Sequence, residues 1–352
     1  MFKRKSAFVA ILLVLVLILG SLTGCGAKQT SNDNKQPAAQ DKPYYDGKTI
    51  TLIVPNSPGK GMDTYARMIV PYIQKYSGAK DIVVKNLTGA GGLVGTNTLW
   101  SSKPDGLTIA FTSIPSLMLA QMSGSDGVTF DATKFTYIGR ASTEPRILTV
   151  GGKSSINSAE DLTKLGRNFK FPTQGTDEDF FTMATLAKSL GFKLKAITGY
   201  EGNADTAMAV VKGEGDGHIT AIMDAKTMIK EGDKKAILVV GMERSKEYPD
   251  VPNALEVIKD ENGKQMMQGI VNMLEMHRSF FGPANMDENA TKALREAVWK
   301  ALNDPELIQK AEKAGTPITP MKGEEVQQKV AKVVEASQHL RPVLKEAVQS
   351  TK

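Results

Sequence analysis

"IVPNSPGKGMDTYARMI", Ile53–Ile69, joins the end of a β-branched strand to a loop almost bare of side chains, and then to an amphipathic helix. Tyr65, Met68, Ile69, Tyr72, Ile73 and Tyr76 recur at i, i+3, i+4, i+7 spacing and share one helical face. Pro71 falls inside that helix and costs about 3 kcal/mol in an unbroken interior, so a kink or a fresh start is expected there. Gly59 and Gly61 let a ligand approach the backbone, and Asp63 or Thr64 can cap the helix. Free N–H groups and the positive end of the helix dipole then make a seat for an anion. The phosphate loop needs G-x-x-x-x-G-K-[ST], which "GKGMDT" does not supply. A carboxylate therefore suits the seat better than a nucleotide. A tight βα turn without any ligand fits the same spacing.

Working outward, "KTITLIVP", "DIVVKN" and "DGLTIAFTSIP" read as strands separated by helical segments. The order β-α-β-α-β, with strands too apolar for an exposed face, argues a parallel α/β sheet. A second set runs from "RILTVGGKSSI" through "KFPTQGTDEDFF", "KAITGYEGNADTAM" and "DGHITAIMDA" to "KKAILVVGM". Two α/β units of like size, joined near Ile138–Arg146, give two lobes. "HRSFFGPANM" is a further strand, ending in a proline turn. Two amphipathic helices follow it, and the sequence leaves open which lobe they pack on.

Each unit repeats the logic of strand, bare loop and helix start. Thr112 and Ser113 end the third strand, at the edge where open α/β sheets bind ligands; as turn-capping hydroxyls they read equally well. Thr173, Gln174, Gly175 and Thr176 occupy the matching place in the second set, followed by Asp177, Glu178 and Asp179. Those acids fit a first helical turn favoured by the dipole. Glu201, Gly202 and Asn203 open a third helix. "GAGGLVG", Gly89–Gly95, follows a strand, but its glycines fall as G-x-G-x-x-x-G, one residue too long for the dinucleotide fingerprint. His218, His277 and His339 are the only histidines and lack metal spacing. His218 sits in a strand pattern and reads as structural. No G-x-S-x-G elbow occurs. No enzyme, metal or cofactor is called for.

The chain has 352 residues, 41% hydrophobic and 23% charged, enough for one large core or two smaller ones. Lys3, Arg4 and Lys5 precede a short apolar run, and "LTGC" at Leu22–Cys25 has the form of a lipobox. The run is short for a spanning helix. Cys25, the single cysteine, is thus expected to carry lipid and to anchor the protein on the extracytoplasmic face of the cell membrane. Cleavage there removes three cations and lowers the formal charge from +6 to +3. With no other cysteine, disulfides and thiolate chemistry drop out. No arginine cluster with interleaved aromatics points to nucleic acid. "GAKQTSNDNKQPAAQDKP" reads as a flexible tether, and a tethered body outside the cytoplasm has no ready supply of ATP or NAD.

Taken in order, the motifs resemble those of the substrate-binding receptors of tripartite tricarboxylate transporters, the Bug receptors. "PNSPGKGMDTYAR" (Pro55–Arg67) is similar to the family's P-x-x-P-G-G-x-x-D-x-x-A-R. "NLTGAGGLVG" (Asn86–Gly95), "PDGLTIAFTS" (Pro104–Ser113), "ERSKEYPDVP" (Glu243–Pro252) and "FFGPANM" follow in family order. The resemblance covers nearly everything after residue 46. It implies a type II periplasmic-binding-protein fold with two lobes, a two-strand hinge and a central cleft. Residues 1–25 are then the lipoprotein signal and 26–45 the tether; 46–143 with 272–352 form lobe 1, and 144–271 form lobe 2. It also implies ligand contacts at Ser57, Pro58, Gly59, Lys60, Gly61 and Met62, with Thr112 and Ser113 beside them. Thr173, Gln174, Gly175 and Thr176 lie opposite, and Gly202, Asn203 and Asp224 match further family loops. The implied ligand is a small organic acid. The implied partners are two integral membrane transporter subunits, the receptor itself being a monomer. A ligand-sensing module or an exported hydrolase are the alternatives.

Three departures bear on the ligand. Lys60 replaces a glycine, and Leu87 and Thr88 replace Arg-Pro. Asp177–Asp179 stand where the family often has small polar residues. An acidic wall repels a second carboxylate and suits an ammonium group or a hydroxyl.

Overall fold

A computed structural model describes residues 42–351; the leader, the lipobox at Cys25 and the tether up to residue 41 lie outside the described residues. β1 (Thr49–Val54) is flanked by β2 (Asp81–Asn86) and β3 (Thr108–Thr112), both parallel to it. The sheet then becomes mixed. A strand from late in the chain, Ser279–Ala284, inserts antiparallel between β3 and β4 (Phe135–Arg140), and the short Met321–Lys322 pairs with β4 on the outside. The helix Gly61–Ser77 runs through Pro71 without a new start. Pro71 is exposed, so the carbonyl it leaves unpaired can turn to water.

The second lobe holds β5 (Arg146–Gly151), β6 (Phe169–Pro172), β7 (Leu194–Ile197), β8 (Gly217–Ala221) and β9 (Lys234–Val240). β5 lies between β8 and β9 and is antiparallel to both, whereas β6 and β7 pair in parallel. The chain passes between the lobes twice, after β4 and before the strand Ser279–Ala284, here β10. The two passages run side by side. Ala141 N–H donates to Arg278 O (2.8 Å), and Arg140 Nη1 donates to Glu275 O (2.7 Å). Thr143 Oγ1 adds a bond to Glu275 Oε1 (3.0 Å).

Apolar packing explains where the last helices go. Helix Arg341–Gln349 contacts both Ile114–Ser123, after β3, and Glu178–Leu190, after β6. Leu340 and Leu344 are fully buried there. One core therefore runs from Phe135, Tyr137 and Phe281 in the first sheet, through Met118, Phe181 and Leu186, to Leu148 and Leu238 in the second. On the opposite face of the first sheet, Tyr65 and Ile69 pack with Phe111 and Phe280, whose rings lie 4.4 Å apart. Among the described residues no helix is long and apolar enough to cross a membrane.

Helix Leu93–Trp100 sits tightly against the end of β1, and Gly95 is the reason it can. A Cβ at Gly95 would meet Leu87 O at 2.7 Å and Pro55 Cβ at 2.8 Å. Gly95→Val is expected to cost about 1–3 kcal/mol by overpacking, read as a lower urea midpoint with unchanged m. An unchanged midpoint would contradict this close approach.

Candidate ligand-binding cleft

Between the lobes, where strand ends meet helix starts, lies a cavity of about 620 Å³. The first lobe contributes Asn56, Ser57 and Met62 after β1, Thr88–Leu93 after β2, and Ser113 and Ser116 after β3. The second contributes Gln174–Asp179, Tyr200 and Glu201, and Arg146 and His277 complete the lining. Gly89, Ala90, Gly91 and Gly92 all have positive φ (121°, 48°, 64° and 94°). Glycine takes that conformation without steric penalty, so the loop presents backbone and a single methyl group to the cavity.

The loop after β1 is fastened from below. Asp63 accepts from Gly59 N–H (2.8 Å), Arg67 Nε (2.9 Å) and Asn86 Nδ2 (2.9 Å). Burial raises the Asp63 pKa, but the Arg67, Gly59 and Asn86 hydrogen bonds outweigh it and hold the carboxyl below its usual range. The helix already begins at Gly61, with Lys60 at its N-cap and no side-chain cap. Asp63 thus ties the loop to the first turn instead of capping it.

Across the cleft floor lies a charged cluster. Arg146, at the start of β5 and 6% exposed, donates through Nη2 to Glu178, the first residue of its helix. Its Nε is 3.0 Å from Asp179 Oδ1 and its Nη1 is 3.7 Å from Glu144. Glu178 reaches over to the first lobe, accepting from Ser113 Oγ and from Ser116 Oγ (3.3 Å). Arg278 donates to Glu144 (2.8 Å) and lies 4.5 Å over the Tyr65 ring. Arg146 Nη2 is 3.2 Å from His277 Nε2. A guanidinium only donates, so Nε2 accepts and the imidazole proton sits on Nδ1, 3.1 Å from Glu144. Burial, against the pull of Glu178 and with Arg146 and Arg278 nearby, lowers the His277 pKa to about 3. Burial pushes Asp177 up to about 6 and raises Asp179 well above its ordinary value. Glu178 is also raised by burial, but Arg146, His277 and Ser113 reverse that and bring it below its usual range.

The pattern of the tripartite tricarboxylate transporter family receptor matches residues 66–347. The chain belongs to that receptor family. A relative from Agrobacterium vitis, the UPF0065 protein in the TAR-I ttuE-ttuC' intergenic region, is 25% identical over 289 residues, 79% of this chain and 78% of that one. The solved periplasmic binding protein BugD superposes with a TM-score of 0.66 at 21% identity, covering 85% of this receptor and 97% of BugD. MatC from Rhodopseudomonas palustris, solved with bound malate, gives 0.64 at 20% identity, covering 82% and 98%. The fold is the type II periplasmic-binding-protein fold: two lobes, a two-strand hinge and a central cleft.

Of the ligand contacts that the resemblance implies, Ser57, Met62, Ser113, Gln174, Gly175 and Thr176 line the cavity, as do the acids Asp177, Glu178, Asp179 and Glu201. Pro58, Gly59, Lys60 and Gly61 are exposed and do not line it. Two amides of that loop are committed internally, Gly59 N–H to Asp63 and Lys60 N–H to Ser57 O (3.3 Å). Thr112 is buried behind the wall, donating to Asn56 Oδ1 (3.3 Å). Thr173 turns its Oγ1 to Gly175 O (2.9 Å).

Asn203 begins the helix Asn203–Val211, after Gly202, and belongs to a chain of polar contacts beside the cavity. Lys234 Nζ donates to His218 Nδ1 (3.0 Å), which leaves the proton on Nε2 for Asn203 Oδ1 (2.7 Å). Asn203 Nδ2 in turn donates to Thr220 Oγ1 (2.8 Å) and Asp224 (3.3 Å). His218 is thus fixed by structure, as its strand position suggests. Asp224 lines a separate cavity of about 330 Å³, with Glu144 and Arg278. Arg146, His277 and the Thr88–Leu93 loop line the cleft but were not among the sequence candidates.

Proposed function

We propose that this receptor captures a small organic acid outside the cytoplasm and delivers it to two integral membrane subunits of a tripartite transporter. The observation that carries the reading is the cavity itself, sized for a small metabolite and walled on one side by the backbone of Gly89–Gly92. MatC, with malate bound, lends support. In this reading the chain is held at the membrane by lipid on Cys25 and works as a monomer. Lobe 1 comprises 46–143 and 272–352, and lobe 2 comprises 144–271. Ser57–Met62, Thr112 and Ser113 serve the ligand from one lobe, and Thr173–Thr176, Gly202, Asn203 and Asp224 from the other, directly or by holding the wall in place. Bending of the paired passages closes the lobes on the ligand and presents the loaded form to the membrane subunits.

The test is native mass spectrometry of the protein as purified, followed by thermal unfolding with a panel of organic acids. Binding to the native state alone adds about 2.7 kcal/mol of stability at a 100-fold excess over Kd. A co-purified acid, or a shift of that size, is the expected result. A panel without any stabilising acid would sink the reading.

A further inference from the structure

A second carboxylate on a ligand would need strong donors on the floor and second wall of the cleft, and the chain's own acids already occupy the serine hydroxyls, the guanidinium and the helix start there. The Ser113 and Ser116 hydroxyls donate to Glu178. The Arg146 guanidinium donates to Glu178 and lies against Asp179. At the start of helix Glu178–Leu190, Phe180 N–H donates to Asp177 (2.8 Å). The groups that normally recognise an anion, hydroxyls, a guanidinium and a helix N-terminus, thus hold protein carboxylates.

The charge balance points the same way. Asp177, Glu178, Asp179 and Glu201 line the cavity against a single cation, Arg146, with no lysine. Arg146 is itself shared among Glu178, Asp179 and Glu144. Asp179 Oδ1 is enclosed against Arg146 Nε (3.0 Å), while the rest of its side chain, 21% exposed, borders the cavity. Asp177 and Asp179 also border a small hollow with Gln174 and Asn203. The facing wall, Gly89–Gly92, carries no acid.

We propose that the ligand carries one carboxylate, set against the Gly89–Gly92 loop, and one cationic nitrogen, set against Asp177 and Asp179. This rests on the acid-capturing reading above and narrows it: dicarboxylates and tricarboxylates are excluded, and amino acids with a terminal ammonium or guanidinium are admitted. Burial raises the pKa of both acids against the pull of Arg146, and a cationic nitrogen beside them would bring both back down.

The test is calorimetric titration of the full chain at neutral pH with matched probes of two lengths. Succinate, gamma-aminobutyrate and butyrate form one set; adipate, epsilon-aminocaproate and caproate form the other, and lysine and arginine complete the panel. The expected result is an amino-bearing acid that binds at least about tenfold tighter than its dicarboxylate and its uncharged counterpart. Asp179→Asn should weaken that probe about tenfold or more. Glu201→Gln, at an exposed position, provides a second variant with little risk to folding, and should weaken it less. A dicarboxylate that binds as tightly as its amino counterpart overturns the inference and leaves the acid-capturing reading standing. Equal binding of the uncharged acid also overturns it. If no probe of any charge type binds, both fall.

Discussion

Arg146→Met lowers the stability of the receptor by about 3–5 kcal/mol, because it removes one partner from a buried ionic group and strands the others. Arg146 is buried, and Glu178, Asp179 and Glu144 all lie within ion-pairing distance of it. Glu178 keeps the Ser113 and Ser116 hydroxyls, but two hydroxyls do not replace a guanidinium in a dry site. The loss is read from the urea midpoint at neutral pH. The mechanism predicts more than the loss. Adding Glu178→Gln and Asp179→Asn to Arg146→Met should recover most of it, since removing both sides of a buried pair is often close to neutral. If the single variant loses less than about 1 kcal/mol, or the triple variant is worse than the single, Arg146 does not hold these acids as a buried ionic group.

That cluster marks the boundary of what sequence reading could reach. β1, the bare loop and the helix Gly61–Ser77 were legible, because period and composition are local properties. Strand direction was less accessible. Strands alternating with helices imply parallel pairing only when neighbours in sequence are neighbours in the sheet, and β5 instead takes β8 and β9 as antiparallel partners. Arg146 and His277 are 131 positions apart, and each looks like an ordinary polar residue beside an apolar strand. The available signal was weak but physical: both are charged or titratable, and both stand where the chain passes between lobes. By position alone Glu178 is one of three first-turn acids. Asp177 does cap that turn, through Phe180 N–H, whereas Glu178 turns away from it to reach Arg146 and Ser113. A side chain's choice between its own helix and a distant partner is a tertiary matter. The Gly89–Gly92 loop departs by one residue from the dinucleotide fingerprint, and that spacing carries no sign of its place on the cleft wall.

The same cluster sets two opposing responses to acid. His277 has its pKa depressed from 6.5 to about 3, so unfolding takes up a proton between those values. Stability from keeping it neutral is complete above 6.5 and is lost as the pH falls through that window. Glu144, Glu178, Arg146 and Arg278 are the charged groups that face it. Asp177 behaves in the reverse sense. Burial raises its pKa from 3.8 to about 6, with Glu178, Asp179 and Arg146 as its charged neighbours. Between those values the native state holds a proton that the unfolded chain releases, so Asp177 favours folding as the pH falls. The two responses offset each other in the wild-type protein over most of the range from 6 to 3.8, and only substitution separates them. His277→Gln should become more stable relative to wild type as the pH drops below 6.5, by at most about 1.4 kcal/mol per pH unit. Asp177→Asn should become less stable relative to wild type below pH 6, with a slope of the same limit and opposite sign. Urea midpoints at a series of pH values would measure both. If both variants run parallel to wild type, neither group changes protonation on unfolding in that range. If His277→Gln loses ground in acid, the imidazole is held charged by Glu144 and Glu178, and the tautomer assigned from the Arg146 contact is wrong.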